Sequence, residues 1–203
     1  GCHRHNIVLA YDNPYCEITF DGYEAPSILE IDGAREVSLE FHSLSKSFCM
    51  TGWRLGWVVG SASLIAALTK VKSYVDTGQF LAIQKAGAAV LNMAEELIGP
   101  IRDTFEVRRD VGVEAFRRVG LSVDSPKATM YLWIPLPVSG SSADYAQQLL
   151  ENEAVAVMPG SAFGKAGEGY FRIALTVGQD RLSEAADRIG HELERLRGLR
   201  GNA

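Results

Sequence analysis

Apolar positions fall along the chain in two textures. Over the first sixty or so residues they come as short continuous runs. These are residues 7–11 (IVLAY), closed by Asp12-Asn13-Pro14, residues 37–42 (VSLEFH), and residues 55–59 (LGWVV), closed by Gly60. Runs of this length predict strands, and the first fits a strand buried on both faces, as in a parallel sheet. Beyond Ser61 the period lengthens. Leu64, Leu68, Val71 and Val75 recur at helical spacing, with Ser61 placed to cap the helix. Further helical patterns cover residues 80–97 and 100–119, the second with Pro100 near its first turn and Gly120 just past its end.

The pattern then returns to strands and helices in mixture. Residues 128–134 (ATMYLWI), 154–158 (AVAVM) and 170–176 (YFRIALT) read as strands. Residues 143–153 and 180–197 read as helices, the latter carrying Leu182, Ala186, Ile189, Leu193 and Leu196 on one face. No internal repeat or low-complexity stretch interrupts them. The fold class is therefore α/β, with a boundary expected near residue 100 between residues 1–100 and 101–203. Three strands are few for an independent doubly wound sheet. The opening GCHRHN reads as the tail of an earlier helix entering a strand. Both features lead to the expectation that the chain is an N-terminally truncated piece of a longer protein.

Composition narrows the function classes. The 203 residues are 47% hydrophobic and 22% charged, enough for one full core or two small ones. A net charge of −5 argues against nucleic-acid binding through a basic surface. The most apolar stretch, residues 80–99, is broken by Gln84, Lys85, Glu95 and Glu96, so no membrane span is expected, and no signal-peptide pattern opens the chain. Cys2, Cys16 and Cys49 show no paired spacing, as expected of reduced thiols in a cytoplasmic protein. No metal site is expected either. His3 and His5 lack a third ligand, and His191-Glu192 is followed by Arg195 where a zinc motif needs a second histidine.

The candidate chemistry gathers where parallel α/β sheets put it, outside the carboxyl ends of the strands. Asp12 stands at the first such end, followed by Tyr15. Ser43 stands at the next, followed by Ser45 and Lys46, with Arg54 further on. Taken singly, these are a turn and a solvated loop lysine. Taken together, they are the set needed to hold pyridoxal 5'-phosphate. A lysine amine condenses with the aldehyde, and a carboxylate keeps the ring nitrogen protonated so that the ring accepts electrons. A phenol can meet the ring hydroxyl, while hydroxyls and a guanidinium suit a phosphate dianion. A lysine in this role should be poorly solvated, which favours its neutral, nucleophilic form.

Two rival motifs fail on order and context. Ser43-Leu44-Ser45-Lys46 also fits the S-x-x-K of penicillin-binding proteins and serine β-lactamases, with Tyr11-Asp12-Asn13 and Lys165-Ala166-Gly167 imitating the other two motifs. In those enzymes the Asn-bearing motif follows S-x-x-K, whereas here it precedes it. The glycine-rich loop at 160–169 (GSAFGKAGEG) lacks G-K-[ST] and precedes a strand, so it reads as a connection and not a phosphate loop. Trp53, Trp57 and Trp133 read as core or interface aromatics.

The segments YDNPYCEITFDGYEAPS, SLSKSFCMTGWRLGWVVG, KATMYLW and GEGYFRIAL resemble, in order, the C-terminal half of class I/II (fold-type I) aminotransferases. The resemblance is nearest to the LL-diaminopimelate branch. It implies the C-terminal part of the pyridoxal-phosphate-dependent transferase fold: residues 1–100 as part of the cofactor-binding large domain, and residues 101–203 as the small domain. It implies Lys46 as the Schiff-base lysine, Asp12 as partner of the ring nitrogen and Tyr15 as partner of the ring hydroxyl. Ser43, Ser45 and Arg54 are implied as phosphate ligands, and Arg172 as the clamp on the substrate α-carboxylate. It further implies amino-acid and 2-oxo-acid substrates in ping-pong order, 2-oxoglutarate among the acceptors, and a homodimer with active sites at its interface. The family supplies other cofactor contacts upstream of residue 1, so this chain alone is expected to be inactive. Alanine- or aspartate-type specificity, or a catalytically silent ligand-binding module, are the alternatives.

Overall fold

The structure, a computed structural model, describes residues 1–201, with side chains through residue 198. The chain divides into two units, Gly1–Asp103 and Thr104–Ala203.

The first unit opens on a single helical turn, α1 (Cys2–His5), closed by Asn6 in the left-handed region at φ 52°. Asparagine tolerates that conformation, and it turns the chain into β1 (Leu9–Asp12). Then follow α2 (Ala34–Val37), β2 (Ser38–Ser43), the single turn α3 (Leu44–Ser47) and β3 (Gly56–Gly60). Helices α4 (Ala62–Val75) and α5 (Leu81–Asn92) come next, and then α6 (Ala94–Arg118), within which the division of the chain falls. The three strands lie in the order β1-β2-β3. β1 and β2 are parallel, with Leu9 opposite Ser38 and Asp12 opposite Phe41. β3 returns antiparallel, with Ser43 opposite Gly56. The parallel pair therefore brings the carboxyl ends of β1 and β2, carrying Asp12 and Ser43, to one end of the sheet.

Three expectations about this unit change. The first strand begins at Leu9, while Ile7 and Val8 are 53% and 54% exposed. Burial along β1 alternates, as in a strand with only one face covered, and among the described residues it is an edge strand. The third strand is antiparallel because the connection 44–55 is spent on two short turns and does not cross the sheet. Pro100 lies inside α6 and not near its start. The start at Ala94 is favoured by Glu95 and Glu96 in the first turn, where carboxylates suit the positive end of the helix.

The second unit contains β4 (Tyr131–Pro135), α7 (Ser142–Glu153), β5 (Met158–Pro159), β6 (Tyr170–Ala174) and α8 (Gln179–Gly201). Its sheet has the order β4-β6-β5, and β6 is antiparallel to both neighbours. Alternation along β4 and β6 buries Leu132, Ile134, Phe171 and Ile173 with Phe116, Leu149, Leu182, Ala186, Ile189 and Leu193. Gly112 of α6 lies close against this core: an added Cβ would stand 3.3 Å from Leu132 Cδ1, so that side chain would have to give by a few tenths of an ångström. The strand expected at 154–158 shrinks to Met158–Pro159. Ala154, in the left-handed region at φ 54°, is still closing α7, and the amide of Val155 still bonds back to Leu149. Among the described residues no helix is long and apolar enough to cross a membrane.

Candidate active site

The direction taken by Lys46 follows from its neighbours. Leu44 and Phe48, one helical turn apart, are 1% and 8% exposed. With Met50 they form a core cluster against Leu55, Trp57, Val90, Ala94, Leu97 and Ile98. Lys46, midway between those two anchors, is turned away from that core. Its Nζ lies 5.8 Å from the centroid of the Tyr15 ring. The lysine is half-buried here and not enclosed.

Around it the expected phosphate ligands form a short chain of bonds. The Oγ of Ser43 accepts from the Ser45 amide at 3.1 Å. The Ser45 carbonyl accepts from Thr51 Oγ1 at 2.9 Å, and the Thr51 carbonyl accepts from Arg54 Nη1 at 3.0 Å. Arg54 is held in the left-handed region, φ 53°, where its carbonyl accepts from Gln79 Nε2 at 2.9 Å. Holding a non-glycine residue there costs about 1–2 kcal/mol, a fixed distortion in a segment rich in candidate ligands. Asp12, at the end of β1, is exposed. The structure thus brings Tyr15 to Lys46 and links Ser43, Ser45 and Arg54 through Thr51.

A group that the sequence reading passed over lies behind these residues. Glu40, on β2, is 1% exposed. Its Oε1 accepts from Asn13 Nδ2 at 2.9 Å and lies 3.2 Å from His42 Nε2. Its Oε2 accepts from Ser27 Oγ at 2.6 Å and from the Ile28 amide at 3.1 Å. Burial is the largest influence on this carboxyl and pushes its pKa upward. The bonds from Ser27, Asn13 and Ile28 and the charge of His42 together outweigh it, leaving the group below the ordinary carboxylate range. His42 stacks on Trp57 with centroids 5.1 Å apart, and its Nδ1 lies 3.7 Å from Cys16 Sγ. Burial, with Glu17 and Glu40 adding to it, pushes the Cys16 thiol up to about 11, so it is protonated at neutral pH. The available signal was a glutamate inside an otherwise buried strand (SLEFHS), a position that requires donors.

Arg172 belongs to the second unit. Its guanidinium lies 4.0 Å from the centroid of the Tyr131 ring and 4.5 Å from that of Phe163. Trp133, opposite Arg172 in the sheet register, stacks on Tyr170 and meets Phe163 edge-on. Both distances are within the range of cation–π attraction, which favours a guanidinium beside aromatic rings. Phe163 comes from the glycine-rich loop at 160–169. There Gly160 and Gly167 pack backbone on backbone, so a Cβ on Gly160 would overlap the Gly167 carbonyl oxygen. That loop was expected only as a connection, and the role of Phe163 was missed. His191 sits beside Glu153, while Glu192 is bonded to Arg195 and Asn152. Among the described residues no cluster of His, Cys, Asp and Glu is placed to hold a metal ion.

The family pattern for aminotransferase class I and II matches residues 1–189. An LL-diaminopimelate aminotransferase of Moorella thermoacetica is 45% identical over 192 residues, covering 95% of this chain and 49% of that protein. An LL-diaminopimelate aminotransferase of Aquifex aeolicus is 46% identical, covering 92% of this chain and 48% of that protein. Among solved structures, an aromatic aminotransferase from Pyrococcus horikoshii superposes with a TM-score of 0.89 at 30% identity, covering 97% of this chain and 53% of that one. An aminotransferase from Staphylococcus aureus does so with a TM-score of 0.86 at 32% identity, covering 91% and 49%. The chain spans about half the length of the curated relatives it matches. It belongs to the aminotransferase class I and II family, and its fold is that of the fold-type I enzymes.

Proposed function

We propose that the protein carrying this chain is a pyridoxal-phosphate-dependent aminotransferase that moves an amino group from an L-amino acid to a 2-oxo acid. LL-diaminopimelate is the proposed donor and 2-oxoglutarate the proposed acceptor. The observation that carries the reading is the meeting of Lys46 and Tyr15 at the carboxyl ends of the two parallel strands, beside Ser43 and Asp12. The donor set fits the cofactor chemically. Ser43 uses its Oγ as an acceptor and keeps its hydroxyl proton, and Arg54 directs Nη1 to Thr51, leaving further N–H groups for a dianion. Pyridoxal phosphate, when bound, supplies an aldehyde that takes an amine covalently and a ring that withdraws electrons from the substrate Cα.

The chain's own residues have distinct tasks in this reading. Lys46 Nζ would hold the cofactor through its aldehyde and, as a free amine, would move the proton at the substrate Cα. The Asp12 carboxylate holds a proton on the ring nitrogen. The Tyr15 hydroxyl bonds the ring hydroxyl, while Ser43, Ser45 and Arg54 hold the phosphate. Arg172 takes the substrate α-carboxylate in a two-pronged pair. The intact protein is proposed to be a cytoplasmic homodimer, consistent with three free cysteines. Residues 1–100 are assigned to the large domain and 101–203 to the small one.

The test is an assay of the full-length protein against a panel of amino donors with 2-oxoglutarate, beside Lys46→Ala. The expected result is turnover with LL-diaminopimelate above alanine and aspartate, and a loss in the variant of both turnover and the visible absorbance of bound cofactor. Transamination surviving in Lys46→Ala would refute the assignment. Cofactor binding without turnover on any donor would make the protein a ligand-binding module instead.

A further inference from the structure

Asn13 and Ser27, at the two ends of the segment 13–27, are held by the two oxygens of one buried carboxylate. At the near end Asn13 Nδ2 donates to Glu40 Oε1 at 2.9 Å, and the Asn13 amide bonds to the Phe41 carbonyl. At the far end Ser27 Oγ donates to Glu40 Oε2 at 2.6 Å, followed by the Ile28 amide at 3.1 Å. Between these ends Ile18 and Phe20, each 1% exposed, anchor the middle of the segment. A further tie runs through His42, whose Nε2 meets Glu40 and whose Nδ1 faces Cys16. In its neutral form the imidazole satisfies both neighbours by donating Nε2–H to Glu40 and accepting the Cys16 thiol at Nδ1, and in its charged form it still donates Nε2–H to Glu40. The Trp57 ring holds the imidazole flat.

This segment carries Tyr15, whose ring faces the Lys46 ammonium, and it begins directly after Asp12. The strand that supplies Glu40 ends at Ser43 and leads directly into α3 and Lys46. We propose that Glu40 is a positioning residue: a clasp that closes the segment 13–27 and fixes Asp12 and Tyr15 against the lysine strand, with His42 as its second arm. The clasp rests on the aminotransferase reading for its purpose, though not for its existence. A carboxylate bonded at both oxygens suits that task. Each bond to a charged, desolvated acceptor is stronger than a neutral one, and losing a single arm leaves one of the two buried oxygens with half of its partners. Glu40 touches neither cofactor nor substrate in this scheme and acts through the backbone that it holds.

The experiment uses the full-length protein with Glu40→Gln, Ser27→Ala and the conservative Ser27→Thr. Amide hydrogen exchange is followed in the cofactor-free state, and pyridoxal phosphate affinity and steady-state kinetics in the loaded one. Glu40→Gln and Ser27→Ala should speed exchange across residues 13–27 roughly tenfold, the effect of losing one charge-assisted bond. Exchange in α5 should stay at the wild-type rate. In the same two variants kcat should fall while KM for the 2-oxo acid holds, and Ser27→Thr, which keeps the hydroxyl, should restore both readouts. Unchanged exchange in both variants would overturn the clasp, as would acceleration spread equally over α5 and the second unit. If the wild type took up no pyridoxal phosphate, the aminotransferase reading would fail, and the exchange arm would still decide the clasp.

Discussion

At Arg172 a guanidinium stands 4.0 Å from the centroid of the Tyr131 ring and 4.5 Å from that of Phe163. Its planar fork is what the proposed two-pronged pair with a carboxylate would use. Arg172→Lys keeps the charge and loses the fork. In the full-length protein it is expected to lower kcat/KM for amino donors by about 10- to 100-fold, the range for one charge-assisted bond, while leaving the thermal midpoint near the wild-type value. An unchanged kcat/KM would remove Arg172 from the carboxylate site. At this scale the sequence marks candidates by motif, and their tasks are proposals carried by the resemblance. Lys46 stands in SLSKSFCMTGWR and Arg172 in YFRIAL. Phe163 was not readable, and for Glu40 only its need for donors was, not which residues supply them. The partner of Phe163 lies across a loop whose path depends on two glycines meeting. Of the partners of Glu40, His42 is its neighbour on the same strand face, whereas Asn13, Ser27 and Ile28 come from positions that no local spacing connects to it.

Among the elements, α3 shows how little helix is needed to aim a side chain. It is a single turn, and its direction comes from Leu44 and Phe48 entering the core while Lys46 does not. Leu44→Ala should therefore destabilise the fold by about 2–5 kcal/mol, the range for a fully buried leucine. It should also weaken cofactor retention, although Leu44 has no place in the proposed cofactor site. Denaturant unfolding of the full-length variant, beside its visible absorbance, measures both. A loss well under 1 kcal/mol would mean that α3 is oriented by something else. Strands β2, β3 and β6 were legible to within a residue or two because alternation or a continuous apolar run marks them. The start of α6 was obscured by Pro100, which reads as a first-turn residue but is tolerated further in. The strand at 154–158 was overread because apolar residues that finish α7 look the same in sequence as residues that begin a strand.

For the molecule as a whole, the α/β class and the family were legible, because the pattern of strands and helices and the resemblance both run along most of the chain. Less legible was how the residues of the first unit hold one another. The proposed ligands are tied into a chain through Thr51, and the turn that carries Tyr15 is closed by a carboxylate on the strand leading to Lys46. That organisation surrounds Lys46, the centre of the proposed site, and the central claim has a direct chemical test. Full-length protein incubated with pyridoxal phosphate is reduced with borohydride, digested and mapped by mass spectrometry. The expected result is a single pyridoxyl group on Lys46, absent when the Lys46→Ala variant is treated in the same way. A pyridoxyl group spread over other lysines, or found at the same level in the variant, would contradict the assignment of Lys46 and the function built on it.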